Sequence, residues 1–123
     1  MESSLHTFED LHIWQDGMKL CDEVYKSLKH CKDYGLKDQL QRSAVSIPSN
    51  IAEGFELHTN KAFIRHLYIA KGSGGELHTQ LYIAIKQGYI ESAKGYHLID
   101  ISNKLNRMIA RFIVSRKGKI RNE

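Results

Sequence analysis

Seven histidines stand along the chain: His6, His12, His30, His58, His66, His78 and His97. Their first chemical use would be a metal. A di-iron bundle takes a Glu-x-x-His pair from each of two helices and a further glutamate from each of two others. Only Glu9 and His12 have that spacing, at the very start of the first helical pattern. Glu76 and His78 are two residues apart and cannot share a helical face. The histidines therefore read as surface or interface polar groups, and no metal or other cofactor is expected.

The cluster Gly72-Ser73-Gly74-Gly75 suggests a phosphate loop. Such a loop follows a strand and closes on Gly-Lys-Ser/Thr, whereas Gly75 is followed by Glu76 and Leu77. Packing is the better reading. Ser46 and Ser49 flank the only proline, Pro48. With no base paired to either, they read as partners for backbone that the proline frees, such as the Ala44 carbonyl. Glu53 could be a buried acid, but nothing in the pattern supplies its partner. The chain is expected not to be an enzyme, with a metal-dependent enzyme as the outlying alternative.

The basic end is a stronger lead. Residues 1–33 carry four Lys/Arg against seven Asp/Glu, residues 34–91 six against five, and residues 92–123 eight against two. The net charge of +4 is thus concentrated at one end. Lys104, Arg107 and Arg111 recur at helical spacing opposite the apolar seam, and Arg116, Lys117, Lys119 and Arg121 continue the run. Such a strip would bind the phosphate backbone of RNA or DNA with little sequence preference and a steep salt dependence. The alternative is a solvated surface that only keeps the protein soluble.

These side chains need helices to carry them. One proline, no turn signals at strand spacing, and many Leu, Ile, Ala and Lys argue for an all-α domain. At 123 residues it is a single domain with enough core to fold without a staple. Cys21 and Cys31 are too few for a disulfide framework, and Cys21 reads as a small buried hydrophobe. The sequence opens on no charged-then-apolar leader and has no run of about 18 apolar residues. The expected location is the cytoplasm, with no membrane contact.

Helix one is expected over 8–31, with Thr7 as a capping-box candidate and a seam of Leu11, Trp14, Met18, Cys21, Tyr25 and Leu28, widened by Ile13, Leu20 and Val24. Helix two, about 36–54, carries Leu36, Leu40, Ala44, Ile47 and Ile51 at helical period. Pro48 is expected to bend it and Gly54 to stop it. Thr59 can cap helix three, expected over 60–87, with Phe63, Leu67, Ala70, Gly74, Leu77, Leu81 and Ala84 as its seam. The glycines there are expected to admit the Ser/Ala face of helix two. Gly88 ends that helix, and Ser92 can cap helix four, about 92–116, whose seam is Leu98, Ile101, Leu105, Met108 and Phe112 with Ile109 and Ile113 beside it, followed by a frayed tail at 117–123. Short links make an up-down-up-down antiparallel four-helix bundle.

Helix three has a second apolar set of Ile64, Tyr68, Ile69, Tyr82, Ile83 and Ile85. A helix apolar nearly all round is buried all round. Copies are therefore expected to associate through it, with Ile64, Tyr68, Tyr82 and Ile85 at the interface.

The stretch Tyr34–Gly54 organises the rest. Its core, Ser43-Ala44-Val45-Ser46-Ile47-Pro48-Ser49-Asn50-Ile51-Ala52-Glu53-Gly54, together with Phe8-Glu9-Asp10-Leu11, Trp14-Gln15, Tyr34-Gly35-Leu36, Gln39-Leu40, Ile69-Ala70-Lys71-Gly72-Ser73, Glu76-Leu77 and Thr79-Gln80-Leu81, resembles one family. It is the four-helix-bundle family of proteins encoded in intervening sequences of bacterial 23S ribosomal RNA genes, which is similar to the accessory protein of diversity-generating retroelements. The resemblance makes Ser46, Pro48, Ser49, Asn50, Glu53 and Gly54 a structural motif. It implies a homopentamer without catalytic activity. From the retroelement relative it implies binding to nucleic acid and to a reverse transcriptase through a basic surface. The alternative is a protein-interaction scaffold that does not itself touch nucleic acid. The chain departs from the family at His78, where Glu is usual, at Gln41, often basic, and at Phe55-Glu56-Leu57, where the family is often basic. The binding expectation therefore rests on helix four.

Overall fold

The computed structural model of the chain describes residues 6–120. A 3₁₀ turn, Phe8–Asp10, leads into four helices: α1 His12–Ser27, α2 Tyr34–Glu56, α3 Asn60–Lys86 and α4 Ser92–Ile120. There is no strand among the described residues. Consecutive helices pack on one another and α1 closes the ring on α4, with α2–α3 the widest seam and α1–α4 the thinnest. This is the all-α four-helix bundle expected from the apolar periods.

The caps explain where the helices begin. The Asp10 carboxylate accepts the backbone N–H groups of Thr7 and His6, fixing the entry turn. The Asp33 Oδ1 accepts the Leu36 N–H at 3.1 Å and starts α2 two residues earlier than its apolar period. Thr59 Oγ1 accepts the Ala62 N–H at 3.1 Å, as its position before α3 predicts. Gly88 takes the left-handed conformation, φ 79°, that ends α3.

The expected seam of α3 is buried throughout, as are Leu40, Ala44, Ile47 and Ile51 of α2. In α1 the core stripe is instead Ile13, Gly17, Leu20 and Val24, while Met18 and Tyr25 of the expected seam are exposed. The two stripes lie about one residue step apart on the helix. Pro48 of α2 packs on the Gly17 side, where even an added Cβ would lie 3.5 Å from the Pro48 Cβ. The same offset appears in α4. Leu98, Ser102, Leu105, Ile109, Ile113 and Arg116 are buried, and Ile101, Met108 and Phe112 are left half-buried at the edges.

Beside the early start of α2, and the start of α1 at His12 after the 3₁₀ turn rather than at residue 8, three boundaries differ from expectation. Helix one ends at Ser27, because a turn over 28–30 follows and buries Leu28 and Cys31. Gly54 does not stop α2; it lies inside the helix against α3, where a Cβ would come 2.7 Å from His66 Cβ. The expected tail from Lys117 is helical through Ile120.

The glycine cluster sits in an unbroken α3 and splits three ways. Gly74 faces α4, where a Cβ would overlap the Asn106 side chain. Ser73, not a glycine, meets α2. Gly72 and Gly75 face outward with no atom within 4 Å of an added Cβ.

Candidate nucleic-acid interface

Lys104, Arg107 and Arg111 are exposed side by side on the outer face of α4. The helix carries them there because Leu105, Ile109 and Ile113 turn the opposite face inward. One acid shares the face: Asp100 Oδ2 lies 3.7 Å from Lys104 Nζ, with both side chains about two-thirds exposed. An exposed pair of that geometry is worth at most about 1 kcal/mol, so Lys104 can exchange its partner at little cost.

The rest of the basic run divides. Lys117 is exposed, its Nζ 5.2 Å from the Tyr68 ring centroid on α3. Lys119 is half-buried. Both lie in the last turn of α4, where cations complement the helix dipole. Arg116 is a correction to the expected strip. It is 8% exposed, its guanidinium stacks 5.2 Å from the Phe63 ring and 5.0 Å from the Phe112 ring, and Nη1 donates to Asn60 Oδ1 at 3.3 Å. It ties the end of α4 to the start of α3 and is not available to a phosphate. Arg121 lies outside the described residues.

The outward face of α3 is the second surface. Tyr68 and Tyr82 are 46% and 47% exposed, and Ile69 and Ile83 are comparably open. His78 stacks on Tyr82, and Tyr96 of α4 meets the Tyr82 ring edge-on at 6.1 Å. Ile64 and Ile85 do not belong to this face. Ile64 is 8% exposed within the chain's own core. Ile85 packs so closely on Gly95 of α4 that a Cβ there would overlap it. Ile69 and Ile83, on the flank toward α2, take their place on the outer surface.

The Pro48 motif forms a polar clasp between α2 and α3. Ser46 Oγ and Ser73 Oγ share a hydrogen at 2.7 Å. Asn50 Nδ2 donates to the Ser46 carbonyl at 2.9 Å and to Ser46 Oγ at 3.0 Å. That orientation turns Asn50 Oδ1 toward His66 Nδ1, 3.0 Å away. Ser46 is thus engaged across the seam rather than with the Ala44 carbonyl. Glu53 is no buried acid: its side chain is 64% exposed, with Oε2 3.9 Å from His66 Nε2. Ser49 is exposed, and Pro48 is buried against α1. His66 and Ser73 are members that the sequence reading missed. A polar residue one turn from Phe63 and Ala70, on the buried side of α3, was the available signal.

No group of three or more His, Cys, Asp or Glu among the described residues could hold a metal ion. Glu9 and His12 are both exposed, on the entry turn and the first residue of α1. Burial pushes the half-buried Cys21 thiol up from its ordinary value, with Asp22 adding to the effect. No described helix is long and apolar enough to cross a membrane.

No curated protein matches the chain. Its fold is similar to the crystal structure of a protein with unknown function from the S23 ribosomal protein family of Bacteroides thetaiotaomicron VPI-5482. The TM-score is 0.77 at 24% identity, covering 82% of this chain and 97% of that one. The family model described as 23S rRNA-intervening sequence protein matches residues 9–111, so this chain belongs to that family.

Proposed function

We propose that the chain is a non-catalytic, self-associating four-helix-bundle accessory protein of the cytoplasm that holds RNA or DNA by its phosphate backbone. The observation that carries this reading is the exposed row of Lys104, Arg107 and Arg111 on one face of α4, with Lys117 beyond it. Three such cations release about three counterions per copy, and binding then falls with salt. Association of copies through the Tyr68, Ile69, Tyr82 and Ile83 face repeats the row and raises avidity. The family resemblance supports five copies.

A gel shift with a structured RNA at rising salt tests the binding. Three phosphate contacts give a loss of roughly 40-fold in affinity between 50 and 200 mM salt. Reversing Lys104, Arg107 and Arg111 together to Glu abolishes the shift. Absence of any shift at about 50 mM salt, or an unchanged shift in the reversed variant, rejects the reading.

A second reading is a protein-interaction scaffold, with a reverse transcriptase among its candidate partners. The exposed Met18, Tyr25 and Val45 on the outer side of α1 and α2 favour it, because they form apolar surface away from the basic face. A stoichiometric protein partner that survives nuclease treatment, with no RNA shift, selects this reading.

A further inference from the structure

The thin α1–α4 seam leaves a cleft of about 290 Å³ beside the basic row. Its floor is apolar: Leu20 from α1, and Ile101, Leu105 and Met108 from α4. Leu20 and Leu105 are core residues, whereas Ile101 and Met108 are half-buried because the bundle closes on the stripe beside them. The rim is charged, with Asp16, Lys19 and Glu23 on α1 and Lys104 on α4. The volume is at the lower end of small-molecule sites. It has room for one flat ring system.

The charges select what kind of ring. Lys104 belongs to both the cleft and the phosphate-facing row, and Met108 lies one turn from it, with Arg111 just beyond. A strand whose phosphates lie on Lys104 and Arg111 therefore carries its bases past the cleft mouth. Lys94 Nζ donates to Glu23 Oε1, which leaves Oε2 as an acceptor, and Asp16 offers a second carboxylate. Carboxylates accept from exocyclic base amines, and an extruded base is held between apolar side chains. A duplex keeps its bases stacked and cannot fill the site.

Resting on the phosphate-binding reading above, we propose that the α1–α4 cleft takes one unpaired, amine-bearing nucleobase, so that the preferred ligand is an RNA with a bulged or single-stranded adenine, guanine or cytosine. Adenine presents its amine to Asp16 and Glu23. Uracil has no exocyclic amine and offers a single N3–H flanked by two carbonyls that the carboxylates repel, so it binds less well.

The test uses the full chain and four RNA hairpins: fully paired, with one bulged adenosine, with one bulged uridine, and with an abasic residue at the bulge. The adenosine bulge is expected to bind about tenfold more tightly than the paired hairpin, and the uridine and abasic bulges to lose most of that gain. Met108→Trp, which fills the cleft, removes the preference and leaves paired-hairpin binding unchanged. Equal affinity for all four hairpins overturns the cleft proposal while leaving the phosphate row standing, as does a preference that persists in Met108→Trp. The abasic hairpin decides the question in the unsubstituted protein should Met108→Trp fold poorly. Absence of binding to every hairpin overturns both proposals.

Discussion

His66 on α3 holds its Nδ1 3.0 Å from Oδ1 of Asn50 on α2. The amide cannot be turned round, because its Nδ2 donates to the Ser46 carbonyl, which only accepts. Nδ1 must therefore carry the hydrogen, and Nε2 faces the Glu53 carboxylate. One asparagine thus aligns a chain of groups from Ser73 to Glu53 across the widest seam of the bundle. Asn50→Ala removes these bonds and leaves a half-buried imidazole N–H unpaired, at a cost of about 1–3 kcal/mol. Urea unfolding measures it; a change under about 0.5 kcal/mol contradicts the clasp.

Gly54 and Gly35 are both helical, but their surroundings differ. A methyl at Gly54 meets His66 Cβ at 2.7 Å and the Phe63 backbone, whereas one at Gly35 meets only Asp33 Oδ1 at 3.7 Å. Gly54→Ala is expected to destabilise by about 1–3 kcal/mol through overpacking. Gly35→Ala is expected to stabilise by up to about 1 kcal/mol through helix propensity. Thermal melts of the two variants should move in opposite directions.

Arg116 separates packing from binding. Arg116→Ala loses the two ring contacts and the bond to Asn60. It is expected to lower stability by about 1–2 kcal/mol and to leave the salt slope of RNA binding unchanged. A reduced slope with unchanged stability would return Arg116 to the phosphate row.

Acid should loosen the α1 end of the bundle. The Thr7 and His6 backbone N–H groups hold the Asp10 carboxyl below its ordinary 3.8, and the hydrogen bond from Lys94 holds Glu23 below its ordinary 4.5. Both folded values are depressed, so each contribution is present above the unfolded value and is lost as pH falls through the folded one. Asp10→Asn with Glu23→Gln is expected to flatten the loss of stability between about pH 5 and pH 3. An acid limb identical to that of the unsubstituted protein contradicts both assignments.

Where one apolar stripe runs the length of a helix without a break, the sequence was sufficient. The α3 seam from Phe63 to Ala84 keeps one period without a break, and each member is buried. Where two apolar stripes overlap, period does not choose between them. Met18 and Tyr25 recur as regularly as Leu20 and Val24, and the choice depends on Gly17 admitting Pro48 from another helix. Ile64 and Ile85 against Ile69 and Ile83 is the same problem, settled by which side of α3 receives α4. Arg116 was misplaced because its charge outweighed its position, although it continues the run Leu105, Ile109, Ile113 at core spacing.

Closure of the outer face of α3 between copies would repeat the basic row of α4. Sedimentation equilibrium at micromolar concentration tests it most directly, with the unsubstituted chain beside Ile83→Lys. A mass several times 14.2 kDa is expected for the unsubstituted chain, with collapse toward a single copy, still helical, in the variant. A folded single copy of the unsubstituted chain at that concentration would contradict it.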